Sequence, residues 1–231
     1  MSYKVGIIGA MDEEVEILIN KMSNKTITDK AGMVYYSGQL SSKDVIVVKC
    51  GIGKINAAVC SQILISEFNV DVIINSGVAG ALDNDLNIGD IVISKDTLNH
   101  DMDTTAFGDE YGVIPRMEKS IFEAEKKLID LAMKSGEKYN ISTVIGRVVS
   151  GDQFIASKEK KEWLVKQFNG TCAEMEGVSI GQTAYLNDVP FLILRAISDK
   201  ADGSAFVAYE DFKDDAIVNL SNLLIDMLEN L

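Results

Sequence analysis

Three acidic residues stand after apolar runs, where a chain can hold a catalytic group in place. Glu14 follows the run that begins at residue 5, Glu176 follows Glu174 and Met175 near an apolar strand end, and Asp199 follows the most apolar run of the chain. Carboxyl groups used together break glycosidic bonds, since one protonates the leaving group while another activates water. The acids therefore indicate hydrolysis of a glycosidic bond. The alternatives are a first-turn helix acid for Glu14 and a helix cap or surface acid for Asp199.

An arginine and a phenylalanine occupy comparable positions. Arg195 directly follows the apolar run 191–194, and a cation buried there must be paired with a carboxylate. Phe154 follows the polar turn 151–153, so its ring either belongs to the core or stacks on a flat ligand. In open α/β folds, ligands bind beyond the carboxyl ends of the strands. These residues, together with the acids and several glycines, predict a pocket for a polar small molecule with a flat ring.

Familiar nucleotide and hydrolase motifs are absent from the sequence. The segment 6–9 reads Gly-x-x-Gly rather than the dinucleotide fingerprint, and the pair Gly53 and Lys54 is not followed by Ser or Thr, which excludes a P-loop. Ser76 lacks the preceding glycine that a nucleophile elbow needs. A serine or cysteine relay would have to use the single histidine, His100, which is interpreted as a surface or loop-ordering residue.

Composition excludes several classes of protein. The 231 residues include 22 Lys and Arg against 35 Asp and Glu, so the net charge is −13 and the surface repels a nucleic-acid backbone on average. The three arginines, Arg116, Arg147 and Arg195, are dispersed, which disfavours a site for a phosphate-rich ligand. The length and the hydrophobic fraction of 47% are typical of one folded domain, predicted to span residues 1–231.

Cysteine and histidine usage predicts a reduced protein without a metal. Cys50, Cys60 and Cys172 are odd in number and widely spaced, as expected for free thiols in the cytoplasm. One histidine is too few for a zinc site, and no cofactor is expected. No apolar run reaches the ~18–20 residues of a membrane span, and no signal peptide is recognised. We therefore expect a cytoplasmic protein.

Short apolar runs alternate with amphipathic segments, which predicts an α/β fold with a mostly parallel central sheet covered on both faces. The predicted strands are 5–8, 34–40, 45–50, 70–75, 88–94, 144–150 and 191–197, and the predicted helices are 11–22, 54–68, 120–135, 157–168, 177–186 and 210–231. Ser157 is the predicted N-cap of its helix. The polar segment 97–119 has no periodicity, and a loop of that length is usually functional or part of an interface.

The segments that end these runs resemble those of one family. They read Gly-Ile-Ile-Gly-Ala-Met-Asp-Glu-Glu at 6–14, Gly-Ile-Gly-Lys at 51–54, Ser-Gly-Val-Ala-Gly at 76–80, Thr-Ala-Phe-Gly at 105–108, Ser-Gly-Asp-Gln-Phe-Ile at 150–155, Glu-Met-Glu at 174–176 and Arg-Ala-Ile-Ser-Asp at 195–199. In order and spacing, these motifs are similar to those of the 5'-methylthioadenosine/S-adenosylhomocysteine nucleosidases. The resemblance covers essentially the whole chain.

The resemblance implies a fold and an activity. The implied fold is a single-domain, three-layer, nucleoside phosphorylase-like α/β arrangement, in which helices flank a mixed, mostly parallel and partly barrel-like sheet. The implied reaction is hydrolysis of the adenine–ribose bond of 5'-methylthioadenosine and S-adenosylhomocysteine, and also of 5'-deoxyadenosine, in methionine salvage and the methyl cycle. The family works as a homodimer, and adenine nucleosides are its small-molecule partners.

The resemblance also implies roles for catalytic residues. Glu14 would activate the water, and Arg195 would help to hold that water. Asp199 would supply a proton or a strong hydrogen bond at adenine N7, and Ser198 would orient this acid. Adenine leaves poorly as an anion, so a proton donor at N7 would lower the barrier.

Substrate binding is implied for a larger set of residues. Phe154 would stack on adenine, the Ile155 backbone would read its edge, and Glu176 would bind the ribose hydroxyls. Phe107 and Pro115 would reach into the pocket of the partner subunit. The remaining members of the set are Met175 against the sugar, Met11, Ile52 and Tyr209 around the alkylthio group, and Val78, Ala79 and Gly80.

Three departures from the family pattern bear on specificity. Val78 stands where some members have Ser, so a hydroxyl contact to the water is lost. Asn99 stands where a second His is common, and Tyr209 replaces a Phe of some members. Rival interpretations remain a purine nucleoside phosphorylase, a hydrolase of another nucleoside such as adenosine monophosphate or futalosine, and a nucleoside-binding protein without catalysis.

Overall fold

Strands and helices alternate along the part of the chain that the computed structural model describes, which is the backbone of residues 3–203 and 205–231 and the side chains of these residues except 205–215. The strands are β1 (Lys4–Gly9), β2 (Ser23–Lys30), β3 (Met33–Leu40), β4 (Lys43–Lys49), β5 (Val72–Ala81), β6 (Ile91–Asn99), β7 (Ile121–Glu123), β8 (Thr143–Ser150), β9 (Cys172–Glu174) and β10 (Phe191–Asp199). The helices are α1 (Asp12–Lys21), α2 (Lys54–Ser66), α3 (Lys126–Lys138), α4 (Lys158–Phe168), α5 (Gly177–Leu186) and α6 (Ala205–Glu229).

The strands form one mixed sheet, part of which closes on itself. The strands β5, β10, β6, β8 and β9 pair in a ring, because β5 pairs with both β10 and β9. From β5 the sheet continues through β1, β4 and β3 to β2, while β7 pairs with β6. Parallel pairings join β4, β1, β5 and β10, and antiparallel pairings join the outer strands β2, β3 and β4. The predicted α/β fold with a mixed, partly barrel-like sheet is confirmed.

Helices cover the sheet on two sides and so produce the three layers. One apolar cluster includes side chains of α2 and α5, and a second includes side chains of α1, α3 and α6. Successive strand residues point to opposite faces, so Ile7 of β1 packs in the second cluster and Ile8 in the first. In a smaller third cluster, Leu164 and Phe168 pack the inner face of α4 against the closed part of the sheet.

Strand boundaries differ most from the sequence prediction. β5 continues through Ser76 and Gly77 to Ala81, because β10 pairs with it along this stretch. The prediction of a helix from residue 120 is wrong at its start, since Ile121 pairs with β6 as part of β7 and the helix begins at Lys126. An isolated apolar position such as Ile121 fits a helical repeat as well as a short strand.

Besides β7, two strands were not predicted. β2 is polar and mostly exposed because it pairs only with β3 at the edge of the sheet, and β9 has just 3 residues. The segment 97–119 begins inside β6 and contains a short 3-10 turn at Thr105–Phe107. The prediction of Ser157 as an N-cap is confirmed, because its hydroxyl accepts a hydrogen bond from the N–H of Lys160.

Cys50, Cys60 and Cys172 are buried free thiols. Among the described residues, no group of three or more His, Cys, Asp and Glu side chains is arranged to hold a metal ion. Within the same residues, no helix combines the length and the apolar content needed to cross a bilayer.

Candidate active site

A cavity of about 480 Å³ opens at the carboxyl ends of β1, β5 and β10. These strands are parallel neighbours, so the residues that end or follow them meet at one edge of the sheet. The predicted site residues that line the cavity are Met11, Glu14, Ile52, Val78, Ala79, Gly80, Phe154, Ile155, Met175, Glu176, Ser198 and Asp199. The pocket therefore brings together the acids on which the sequence prediction depends.

Glu14 is the third residue of α1 and turns back toward the start of its helix. Its Oε2 accepts hydrogen bonds from the backbone N–H groups of Ala10 (2.6 Å) and Met11 (3.1 Å), and its Oε1 accepts one from Val78 (3.0 Å). An acid at this position satisfies the unpaired N–H groups of a helix start. Glu14 is therefore both a first-turn acid of α1 and a residue of the pocket.

Burial raises the pKa of Glu14 above its ordinary value, although Arg195 and the backbone N–H groups of Val78, Ala10 and Met11 oppose the shift. Only 4% of the residue is exposed. A carboxylate with a raised pKa is a stronger base than an exposed one. Glu14 is therefore better suited than an exposed glutamate to taking a proton from water.

Asp199 ends β10 opposite Gly80 of β5. The strand pairing shifts between Ile197 and Asp199, and an irregularity of this kind re-aims the side chain. Oδ2 of Asp199 accepts the hydroxyl of Ser198 (3.0 Å), and Oδ1 accepts the N–H of Ala201 (2.8 Å). Burial raises the pKa of Asp199 more than these two hydrogen bonds lower it. This carboxyl group therefore retains a proton more readily than an exposed aspartate.

Glu176 lies at the start of α5 and reaches the start of α2. Its Oε1 accepts a hydrogen bond from the N–H of Gly53 (2.8 Å), and its Oε2 lies 3.6 Å from Nη2 of Arg195. Burial and the negative charge of Glu174 raise the pKa of Glu176 to about 7, against the opposing effect of Arg195. In its charged form, this carboxylate can accept hydrogen bonds from neutral hydroxyl groups.

Glu174 is a site residue that sequence reasoning missed. It forms a buried ion pair with Arg195, whose Nε lies 3.1 Å from Oε2, and it accepts the hydroxyl of Ser150. It also accepts hydrogen bonds from the backbone N–H groups of Glu176 (3.1 Å) and Gly177 (2.8 Å). Glu174 thus accepts the hydrogen bonds of the backbone N–H groups at the start of α5. The carboxylate of Glu176 is therefore directed at the pocket.

Arg195 lies behind the acids and is not among the residues that line the cavity. It is 1% exposed, and its Nη2 also donates to Oδ1 of Asn75 (2.5 Å). Burial alone would lower the pKa of Arg195, but the charges of Glu174, Glu176 and Glu14 raise it above its ordinary value. The carboxylate partner expected for a buried cation is therefore present.

Because Gly77 has no side chain, it leaves space for the charged groups of Arg195 and Glu14. It pairs with Arg195 across β5 and β10, and a Cβ at this position would overlap Nη1 of Arg195 and Oε1 of Glu14. A larger residue would displace at least one charged group. Sequence reasoning placed Gly77 at a strand end without assigning it this role.

Another part of the pocket lining is apolar and partly open. Phe154 lines the pocket with 52% of its surface exposed, while Ile155 beside it is 6% exposed. Ile52 is 55% exposed and contributes to the same cavity. The cavity also includes the residues Ala10, Gln153 and Ala173, which were not predicted. A wall of this composition suits a flat ring whose polar edge meets the acids.

Three predicted binding residues are not among those that line the pocket. Phe107 lies on the 3-10 turn with 89% of its surface exposed, and Pro115 is exposed on the loop that follows. The side chain of Tyr209 lies outside the described residues. Within one subunit, Phe107 and Pro115 therefore have no part in this cavity.

His100 is buried rather than on the surface. It is 1% exposed, and burial lowers its pKa below the ordinary value, although the charge of Asp101 opposes the shift. A Cβ at Gly151 would come within 2.6 Å of its Nε2, so the ring packs beneath the turn that precedes Phe154. The interpretation of His100 as a surface residue is wrong, and its role in ordering loops stays a prediction.

Comparison with known proteins gives consistent results over nearly the whole chain. The family model of the phosphorylase superfamily matches residues 4–229. A 5'-methylthioadenosine/S-adenosylhomocysteine nucleosidase of Staphylococcus aureus strain JH9 is 43% identical over 98% of this chain and 100% of its own length. The chain belongs to the 5'-methylthioadenosine/S-adenosylhomocysteine nucleosidase family.

Solved structures of this nucleosidase family and of a related hydrolase share the fold. The nucleosidase of Neisseria meningitidis, in complex with methylthio-immucillin-A, has a TM-score of 0.95 and 35% identity, with 99% of each chain covered. The futalosine hydrolase of Helicobacter pylori strain 26695 also has a TM-score of 0.95, with 34% identity over 100% of this chain and 99% of its own. Proteins named for hydrolysis of different nucleosides therefore share this fold.

Proposed function

We propose that this protein hydrolyses the N-glycosidic bond of 5'-methylthioadenosine and S-adenosylhomocysteine, releasing adenine and the thioribose product. The observation that carries the proposal is the convergence of Glu14, Glu176 and Asp199 on one pocket whose described lining residues include no Lys or Arg. Acids are what hydrolysis of a glycosidic bond needs, whereas phosphorolysis needs a binding site for phosphate. The names of the relatives support the same activity.

Water activation falls to Glu14. Its carboxylate is held by three backbone N–H groups, so the side chain is in place before substrate arrives. Its raised pKa strengthens it as a base. Its negative charge also stabilises the positive charge that develops on the ribose ring. Arg195, which lies behind the acids, supports this step through the positive field of its guanidinium group. It also helps to hold the water.

Asp199 assists departure of adenine. The Ser198 hydroxyl fixes one of its oxygens, and the Ala201 N–H fixes the other. The raised pKa makes the protonated carboxyl group, which can donate to adenine N7 as the bond breaks, more accessible than it is in an exposed aspartate. Positioned general acids of this kind typically contribute about 10²–10⁴-fold in rate.

The remaining pocket residues orient the substrate. Phe154 stacks on adenine, with the Ile155 backbone at the edge of the base, and Glu176 accepts both ribose hydroxyls while Met175 packs on the sugar. Val78, Ala79 and Gly80 form the floor beside the reacting bond. Met11, Ile52 and Tyr209 surround the alkylthio group, and 5'-deoxyadenosine fits the same arrangement.

The proposed working form is a cytoplasmic homodimer in which Phe107 and Pro115 approach the partner's pocket. Apolar side chains at the start of α2 support an interface there, because Ile55 and Val59 lie one helical turn apart and are 79% and 40% exposed, and Ile52, just before the helix, is 55% exposed. α2 begins at the mouth of the pocket, so a partner docked on this face lies beside the site.

Chromatography of reaction products tests the proposal. Each of 5'-methylthioadenosine, S-adenosylhomocysteine, 5'-deoxyadenosine and futalosine is incubated with the protein, with and without phosphate. Adenine release from the two thio-nucleosides, unchanged by phosphate, is expected. A ribose 1-phosphate product would identify a phosphorylase, and preferential turnover of futalosine would favour the second function that the Helicobacter relative suggests. Absence of turnover would favour a binding protein.

A further inference from the structure

A polar network just outside the pocket joins the start of α2 to two loops. The ammonium group of Lys54 forms an ion pair with Asp101 and lies 3.9 Å from Oδ2 of Asp152. The backbone N–H of Lys54 donates to Oδ1 of Asp152 (2.9 Å), and the N–H of Asp152 donates to Oδ2 of Asp101 (2.9 Å). Each residue is thus bonded to the other two, and none of them lines the cavity.

The network connects two separate walls of the site. Lys54 follows Gly53, whose N–H donates to Glu176 (2.8 Å) on the ribose side. Asp152 begins the segment that carries Phe154 and Ile155, which form the ring wall. Lys54 begins α2, which follows β4, whereas Asp152 lies on the loop after β8 and Asp101 on the loop after β6.

The ion pair between Lys54 and Asp101 is largely buried, unlike an exposed surface pair. The side chains of Lys54 and Asp101 are 21% and 16% exposed, and Lys54 also donates to Oδ1 of Asn99 (3.3 Å). Burial would raise the pKa of Asp101, but the hydrogen bonds from Lys54 and from the Asp152 N–H hold it below its ordinary value. Partly buried charged pairs are screened less by salt than exposed ones, so the loss of one partner is felt more.

We propose that Lys54 and Asp101 are positioning residues for substrate binding, which lock the loop 51–54 against the turn 151–155 and so set the distance between Glu176 and Phe154. This inference rests on the proposed function, because those two side chains are the proposed ribose and adenine contacts. Neither Lys54 nor Asp101 touches the reacting atoms. Their loss therefore weakens binding and leaves the chemical step nearly intact.

Kinetics of three variants test the proposal. Lys54→Met and Asp101→Asn are expected to raise KM for 5'-methylthioadenosine at least about tenfold while kcat changes by no more than about threefold. Lys54→Arg keeps the charge and is expected to restore most of the affinity. Lys30→Met is the matched control, because it removes the lysine of an ion pair with Glu67 in which both side chains are about half exposed. Its KM is expected to equal that of the wild type.

Hydrogen exchange provides a readout that needs no turnover. Faster exchange in segments 51–54 and 151–155 of Lys54→Met, with slow exchange kept in β5, is expected whatever the substrate is. If the wild type releases no adenine but exchange rises there, the proposed function fails and the positioning role stands. Unchanged exchange, a KM within about twofold of wild type in both variants, or a fall in kcat at constant KM would each overturn the positioning role. If Lys54→Met does not fold, Asp101→Asn carries the test, since it preserves the side-chain shape.

Discussion

Burial sets the proton affinity of the acids in the pocket. Glu14 and Asp199 are 4% and 2% exposed, and desolvation raises the pKa of each. Their neighbours differ, because backbone N–H groups and Arg195 surround Glu14, whereas a hydroxyl and one N–H hold Asp199. Two carboxyl groups in different surroundings can take the base and the acid role in one reaction.

Substitution of either carboxyl group is expected to lower activity without preventing folding. Asp199→Asn and Glu14→Gln are each expected to lower kcat/KM at least about 10²-fold, since each removes a proton-transfer group but keeps its shape. Circular dichroism should show native folding in both variants. Glu16→Gln, an exposed change on α1, is the control and should retain full activity. Near-normal rates in either site variant would refute the assigned role.

Glu176 links stability to pH. Its pKa of about 7 in the folded protein lies above the ordinary glutamate value, so the folded state holds the proton more tightly than the unfolded state. The stabilisation is complete below the unfolded pKa and is lost as pH rises through 7. We expect the free energy of unfolding of the wild type to fall between about pH 5 and 7, by up to roughly 1.4 kcal/mol per pH unit, and to lose this dependence by about pH 8, whereas that of Glu176→Gln falls less. Urea denaturation at several pH values measures both slopes, and parallel slopes would contradict the assignment.

The strand β5 positions groups on both sides of the reaction. Its residues Gly77 and Val78 contact Arg195 and Glu14, and Gly80 lies opposite Asp199. Because β5 pairs with β1, β9 and β10, its backbone is fixed by neighbours on both sides. A change in the space around this strand is therefore transmitted directly to the acids.

Addition of one methyl group to β5 tests this dependence. Gly77→Ala is expected to cost about 1–3 kcal/mol of stability and at least about tenfold in kcat, because Arg195 and Glu14 must move to admit the Cβ. The matched control is Gly6→Ala in β1, whose Cβ would have as its nearest neighbours the uncharged side chains of Leu64, at 3.1 Å, and Val70. That variant should retain kcat. Equal activity of the two variants, measured at matched folded fraction, would show that the space at Gly77 has no catalytic importance.

Elements with a strong local signal could be predicted from the sequence, whereas those defined by distant partners could not. Glu14 and Asp199 were found because each follows an apolar run. Glu174 was not, because β9 is too short to reveal which of two nearby acids faces Arg195. The network of Lys54 with Asp101 and Asp152 joins residues 47 and 98 positions apart, and no local pattern signals such contacts.

The whole molecule is expected to work as a dimer. Sedimentation at micromolar concentration should show a species of about twice 25.2 kDa. Ile55→Glu places a charge on the apolar face of α2, where the side chain is 79% exposed, and should shift the protein toward monomer without loss of helix content. Val218→Glu on α6 is the control, since that side chain is 46% exposed in the other helix layer. A wild type that sediments only as monomer would contradict the proposed interface.

The single guanidinium of Arg195 faces Glu14, Glu174 and Glu176, so the buried cluster would carry excess negative charge if every acid were ionised. At neutral pH a fraction of molecules therefore keeps an extra proton in the cluster, as the pKa of about 7 for Glu176 indicates. A ligand that carries positive charge competes with that proton, whereas a neutral one leaves it in place. The heat of binding of a cationic nucleoside analogue consequently includes proton release and changes with the ionisation enthalpy of the buffer.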